Sequence, residues 1–321
     1  MVVLSVVLGA GGFIGGNLCV RLKKLGYQVI GVDIKKHEYF DMDNLIDKFI
    51  IADLRDYSVV KSVIPNDADE VYQLAAEMGG VMVINSGSYD ADVVNNSVLI
   101  NANVARVAKE HNVRKLFFSS SACVYPEHNQ MDPDNPQCPE DSVYPAHPDT
   151  PYGWEKLFSE IMYQAFAKQH KLNIRIARFH NIYGPYGTYD GGREKAPAAL
   201  CRKVCESKDN TVSIFGDGKQ TRSFLYIDDC IDAVLLLMAS NHTEPINIGS
   251  DFLISINDLT KLISTISNKN IEIKHIDGPL GVRGRNSDNT VIRQVLNWEP
   301  KYSLKDGLSI TYKWISGEIA K

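Results

Sequence analysis

The chain has 321 residues, 44% apolar and 23% charged, with a formal net charge of −5 at pH 7, the profile of a globular protein with one large or two modest domains. That balance excludes nucleic-acid binding through a general basic field, while leaving room for a local basic pocket that takes a phosphorylated small molecule. Six cysteines with no CxxC pair exclude a disulfide framework and a zinc site of the usual spacing (metal ligands: none expected), and they point to the cytoplasm.

A β-branched, apolar run at 2–8, closed by glycine, predicts a buried first strand; the pattern from Gly12 to about Leu25 predicts the first helix. The amino-terminal stretch MVVLSVVLGAGGFIGG is apolar but lacks the cationic leader of a signal peptide, and no run approaches the roughly 18 apolar residues of a membrane span. Further strands are expected at 28–32, 48–51, 70–73, 115–119 and 173–178, with helices at 93–111 and 152–170. Buried-looking strands alternating with helices predict an α/β fold, a Rossmann-type doubly wound parallel sheet. From about Phe179 the chain becomes rich in Gly and Pro (NIYGPYGTYDGG, IFGDGKQTRS, HIDGPLGVRGRNSDN), which predicts a smaller α+β region. An amphipathic helix at 226–237 is expected to return to the first unit. Cys201 and Cys205 share a helix face without a nearby histidine and read as packing residues.

GAGGFIG sets Gly9, Gly12 and Gly15 between the first strand and the first helix, with Phe13 and Ile14 opening that helix. Glycines there permit a tight turn and let backbone N–H groups approach a pyrophosphate at the helix N-terminus. Asp33, at the end of the second strand, can accept hydrogen bonds from both ribose hydroxyls and would repel a 2′-phosphate, which favours NAD over NADP; Lys35 and Lys36 weaken that exclusion slightly. Asp53, after the third strand, is a candidate adenine contact or a helix N-cap. In PYGWEK, Tyr152 and Lys156 stand at i and i+4 on one helix face. A phenol is a poor base at pH 7, and an adjacent ammonium stabilises phenolate, so the pair can exchange a proton with an alcohol that is losing hydride.

With GAGGFIG, Asp33, Ser121, Tyr152-x-x-x-Lys156 and RFHNIYGP in view, the chain resembles the extended short-chain dehydrogenase/reductase superfamily. That resemblance implies a hydride-transfer triad of Ser121, Tyr152 and Lys156, a nucleotide-sugar substrate, and a sugar-diphosphate contact from Asn181. The longer stretches LAAEMGG, SSSACVYP, RFHNIYGPYGTYDGGREKAPAA, FGDGKQTRSFLYIDD and GVRGRNSDN are similar to the GDP-mannose 3,5-epimerase family. Residues 85–92 are less like it, and the tails of some relatives have no counterpart at either end.

This second resemblance explains a thiol where a hydroxyl would ordinarily serve. Epimerising C3 and C5 of a hexose means removing protons from unactivated carbons. Oxidation at C4 acidifies both, after which one ionisable group must take a proton and another return one on the opposite face. Cys123 suits the first role and Lys195 the second, its charge also stabilising an enolate; the resemblance implies that these two are the acid/base pair. The expected reaction turns GDP-D-mannose into GDP-L-galactose, with GDP-L-gulose from inversion at C5 alone as a side product.

The resemblance further implies substrate contacts from Gly80, Ala122, Glu194, Ala196, Lys203, Gln220, Thr221, Arg222 and Arg285, the arginines at the diphosphate. Glu194 either orients Lys195 or only begins a helix, and Gly80 either admits the sugar or makes a turn. The expected organisation is an NAD-binding domain of 1–178 plus about 218–245, and a sugar-nucleotide domain of about 179–217 plus 246–321, paired as a homodimer through helices beside the sheet. Two other functions fit the superfamily. A 4-epimerase needs only the Tyr152 cycle. A non-catalytic NAD-sensing protein would need neither Tyr152 nor Lys156. A 4,6-dehydratase would need a carboxylate pair where Ala122 and Cys123 stand.

Overall fold

The computed structural model describes residues 2–278 and 280–321, without the side chains of Val81 and Met82. Six strands lead the fold: β1 (Leu4–Leu8), β2 (Gln28–Asp33), β3 (Lys48–Ile51), β4 (Glu70–Gln73), β5 (Lys115–Ser121) and β6 (Ile174–Phe179). With the later strand Ile246–Ile248 they form one seven-stranded sheet in the order β3-β2-β1-β4-β5-β6-(Ile246–Ile248). Every pairing in it is parallel. The α/β expectation therefore holds, and the strand order reverses between β1 and β4, the crevice where such sheets take ligands.

The helices are α1 (Phe13–Lys24), α2 (Met42–Leu45), α3 (Tyr57–Val63), α4 (Val81–Ile84), α5 (Asp90–Glu110), α6 (Pro151–His170), α7 (Ala196–Glu206), α8 (Ile227–Ala239), α9 (Ile256–Ser267), α10 (Thr290–Leu296) and α11 (Leu304–Ile319). Side chains alternate across a strand, and the sheet's two faces build two cores. Val6, Leu8, Val71 and Phe118 pack with Val60 of α3, Val104 of α5 and Tyr163 of α6. Val7, Tyr72 and Phe117 share the other core with Leu18 and Leu22 of α1 and Val234 and Leu237 of α8. The return of α8 to the first unit is thus as expected, and Arg21 of α1 reaches Asp228 and Asp232 across the contact.

Some bounds shift: α5, expected from 93, begins at Asp90, and β6, expected at 173–178, is Ile174–Phe179. β5 runs to Ser121 rather than stopping at 119, because Ser120 and Ser121 continue the ladder against Arg178 and Phe179. The strand Ile246–Ile248 closes the crossover from α8 and pairs with β6. Beyond the sheet lie smaller ones. Thr221–Ser223 is flanked by Leu253–Ser255 and Gly284–Arg285, and Thr211–Phe215 pairs with Glu272–Ile276. Among the described residues, no helix is long and apolar enough to cross a membrane.

Candidate active site

The carboxyl edge of the sheet carries the chemistry. After β1 the chain turns at Gly9 with φ +88, where a Cβ would lie 2.8 Å from the backbone of Leu74 and Ala75. A Cβ on Gly15 would stand 2.1 Å from the Gly9 carbonyl oxygen, so α1 can begin this close to the turn only with glycine there. Gly11, which the motif reading passed over, is as constrained: a Cβ would meet the Lys35 carbonyl oxygen at 2.3 Å and the Asp33 carboxyl carbon at 2.9 Å. Gly12 is different. The nearest atom to a Cβ there is 3.3 Å away, so the protein itself nearly admits a side chain, and what glycine adds is open backbone at an uncapped helix N-terminus.

Asp33 accepts from the N–H groups of Gly11 (2.9 Å) and Lys35 (3.2 Å). Burial pushes its pKa up while those N–H groups and the Lys35 charge oppose the shift. Lys36 is turned to Asp43 at 2.6 Å. Glycine turn, uncapped helix end and carboxylate together fit the pyrophosphate and ribose of a dinucleotide. Phe13 packs where Gly187 lacks a side chain, and Ile14 lies against the core. Asp53 is not the N-cap of α3; that is Asp56, which accepts from Ser58 N–H at 2.7 Å, and Asp53 pairs with Arg55 at 2.6 Å.

Tyr152 sits in the first turn of α6, which Thr150 caps and Pro151 opens. The neighbouring Gly153 is what brings it inward: a Cβ there would lie 2.2 Å from the Cys123 carbonyl oxygen, so the helix packs directly on the turn after β5. Tyr152 is 6% exposed. Burial, then Cys123 and Glu155, drive the phenol pKa up, and the Ser121 hydroxyl and Arg285 oppose the rise. Lys156 is buried beside it, its ammonium donating to the Ser119 carbonyl at 3.1 Å and lying 5.7 Å from the Tyr152 ring centre. Burial lowers the Lys156 pKa, against the charges of Glu155, Cys123 and Glu160. Ser121 accepts from the Cys123 N–H at 3.2 Å. Ser121, Tyr152 and Lys156 are thus brought together.

Cys123 is half-buried and packs in one cluster with Tyr152, with the cationic side chains of Lys156, Lys195, Arg222 and Arg285 around it. Four cationic side chains thus gather at one point of a chain that is acidic overall. Lys195 stands just before α7, with burial lowering its pKa and Cys123 and Cys230 opposing. Its segment is bolted to the LAAEMGG loop: Arg193 pairs with Glu77 at 3.0 Å, and the missing side chain of Gly80 admits the Glu194 carbonyl, 2.3 Å from where a Cβ would be. The bare face of Gly80 is used by another loop. Glu194 does not orient Lys195; its carboxylate accepts from Gly192 N–H at 2.6 Å and pairs with Arg202 at 3.1 Å.

Several expected substrate contacts hold the protein to itself. The Ala122 methyl is packed in a small cluster with Val124 and Tyr125. Ala196 opens α7. Asn181 donates to the Ser223 carbonyl at 2.9 Å, Lys203 to that of Ser213 at 2.9 Å, and Gln220 to that of Phe215 at 3.2 Å. The Thr221 hydroxyl donates to the Pro133 carbonyl. Arg222 donates to the Thr221 and Val282 carbonyls, both at 2.7 Å; burial and then Arg285 lower its pKa, though a guanidinium remains charged. Arg285 is the surprise. Its Nη1 donates to the Cys123 sulfur at 3.1 Å.

Residues 5–249 match the NAD dependent epimerase/dehydratase family. The chain is 44% identical over 315 residues to a GDP-mannose 3,5-epimerase of Arabidopsis thaliana, covering 98% of this chain and 82% of the plant protein. It is 30% identical to GDP-L-fucose synthase 1 of the same plant, over 96% of this chain and 91% of that protein. Among solved structures it matches a mutant UDP-glucuronic acid 4-epimerase of Bacillus cereus in complex with NAD, with a TM-score of 0.83, 28% identity, and 98% and 99% of the two chains covered.

Proposed function

This chain belongs to the NAD dependent epimerase/dehydratase family, and from that premise we propose that it is a GDP-mannose 3,5-epimerase, forming GDP-L-galactose from GDP-D-mannose with GDP-L-gulose as a side product. The observation that carries the reading is a thiol, Cys123, packed in one cluster with Tyr152 just after β5: it is an ionisable group beyond the Tyr152–Lys156 pair, and Lys195, just before α7, is a second.

Gly9, Gly11, Gly12 and Gly15 hold the pyrophosphate of NAD, and Asp33 its adenosine ribose, with Asp53 near the adenine. NAD held there would supply the hydride acceptor for C4. Tyr152 takes the C4 hydroxyl proton and gives it back, Ser121 orients that hydroxyl, and Lys156 favours the phenolate. While C4 is a carbonyl, the hydrogens on C3 and C5 are acidic. Cys123 and Lys195 then remove and return protons at those carbons, and the Lys195 charge stabilises the enolate. A 4-epimerase would have no work for either group.

The protein is placed in the cytoplasm, in keeping with its free cysteines, and pairs as a homodimer. Support for pairing comes from α5 and α6, which lie side by side and present Leu99, Trp154, Phe158 and Ile161 to solvent at 42%, 49%, 52% and 48% exposure.

The test is turnover of GDP-mannose in heavy water, read by NMR. Deuterium at C3 and C5 of the product is expected. Epimerised product without label at either carbon would replace this reading with a 4-epimerase.

A further inference from the structure

Arg285 lies on the short strand Gly284–Arg285 and is 8% exposed. One edge of its guanidinium is fixed. Nε donates to Gln130 Oε1, and Gln130, itself fully buried, donates to the Tyr125 and Pro126 carbonyls at 3.0 and 3.2 Å. Nη1 donates to Cys123 Sγ. The remaining nitrogen, Nη2, faces Asp149 Oδ1 at 3.6 Å, with the two side chains 10% and 11% exposed.

That distance is beyond hydrogen-bond reach, and both Nη2 and Asp149 Oδ1 are buried without any partner. Leaving both ends of a buried ion pair unsatisfied is costly. A single hydroxyl oxygen about 2.8 Å from each would satisfy both at once, accepting from Nη2 and donating to Oδ1. A phosphate oxygen would not, because it has no proton to donate and would lie against the Asp149 carboxylate.

We propose that Asp149 and Arg285 form a clamp for one hydroxyl of the hexose, beside Cys123, and that Arg285 recognises the sugar rather than the diphosphate. The inference rests on the nucleotide-sugar reading above and corrects the sequence-based placement of Arg285. Asp149 is a specificity residue: it selects sugars that carry the clamped hydroxyl.

Calorimetry on the NAD-loaded protein tests it, with GDP, GDP-mannose and the 2-deoxy and 6-deoxy analogues of GDP-mannose as probes. Asp149→Ala is expected to weaken GDP-mannose binding roughly tenfold or more, the scale of a hydrogen bond to a charged group, and to leave GDP binding unchanged. Asp149→Asn, which keeps an acceptor oxygen, should recover part of the loss. For the analogue that lacks the clamped hydroxyl, the loss should vanish. Arg285→Lys should likewise spare GDP. An equal loss for GDP and GDP-mannose would return Arg285 to the diphosphate and overturn the clamp. Unchanged GDP-mannose binding in Asp149→Ala would overturn it as well, as would wild-type protein that binds GDP and GDP-mannose equally. Protein that shows the expected binding differences but forms no product labelled at C3 or C5 keeps the clamp and loses the epimerase reading.

Discussion

Glu160 of α6 and Arg178 of β6 pair at 2.8 Å with side chains 2% and 5% exposed. The pair underlies the turn that bears Cys123, since Ser120 also donates to Glu160 and Arg178 also donates to the Tyr125 hydroxyl. Removing one member leaves an uncompensated buried charge. Glu160→Leu is expected to lower stability by about 3–5 kcal/mol in urea unfolding. Glu160→Leu with Arg178→Met should recover most of that, because two apolar groups of similar size need no ion pair. Equal losses in the single and double variants would show that the pair's packing, not its charge, supports the turn.

The glycine turn separates into two kinds of position. Gly15→Ala must push a methyl into the Gly9 carbonyl and is expected to cost about 1–3 kcal/mol of stability along with cofactor retention. Gly12→Ala should fold nearly as the wild type does and still lose bound NAD, because the methyl takes the space of the ligand. Thermal melting with and without added NAD, together with the NAD content of the purified protein, distinguishes the two. A Gly12→Ala protein that keeps its NAD would move the pyrophosphate elsewhere.

Hydride transfer and carbon inversion should also come apart by mutation. Tyr152→Phe removes the proton relay at C4 and is expected to reduce all product formation by roughly 10²–10⁴-fold. Cys123→Ala leaves that relay in place, so a transient NADH absorbance should persist on adding GDP-mannose while exchange of C3 and C5 hydrogens with solvent stops. Lys195→Met should behave similarly, with NADH still formed and exchange at C3 and C5 suppressed. Full exchange in Cys123→Ala would remove the thiol from the chemistry.

Dimerisation has its own measurement. The exposed residues Trp154, Phe158 and Ile161 repeat along one face of α6, and a charge in that stripe opposes burial against a second copy. Phe158→Glu is expected to give a monomer by light scattering where the wild type gives a dimer. A dimer in both would place the contact on another surface.

How far the sequence reached follows from how local each signal is. The sheet was legible because each buried strand is a short apolar run closed by glycine or a polar residue, and the Tyr152–Lys156 pair because it spans one helical turn. Nothing local in the run of serines marks where β5 ends; pairing with β6 carries the strand through Ser120 and Ser121. Gly153 carried a signal in PYG that was passed over, since nothing in a helix start reveals that a carbonyl presses against it. The contact between Arg285 and Cys123 joins residues 162 apart, and the partners that Asp149 and Gln130 meet are equally set by tertiary packing. No spacing rule reports these.

His180 supplies an acid limit to stability. It is fully buried, and its Nε2 lies 2.9 Å from Asn247 Oδ1. The Asn247 amide nitrogen donates to the Cys138 and Asp288 carbonyls, so Oδ1 is the acceptor and His180 carries its proton on Nε2. Nδ1 has no partner, and a second proton there would be buried and unpaired. Burial, supported by the Arg285 and Arg178 charges and opposed by Asn247, lowers the His180 pKa from 6.5 to about 3. Between those values the unfolded chain binds a proton that the folded chain refuses, so stability falls as pH drops below 6.5. From pH 7 to pH 5 this residue should account for a loss of about 2 kcal/mol. Urea unfolding of the NAD-loaded protein at the two pH values measures it. His180→Gln cannot titrate and should show a loss smaller by that amount, though some remains because burial also lowers the His37 pKa. Equal pH losses in the wild type and in His180→Gln would mean that His180 is protonated in the folded protein.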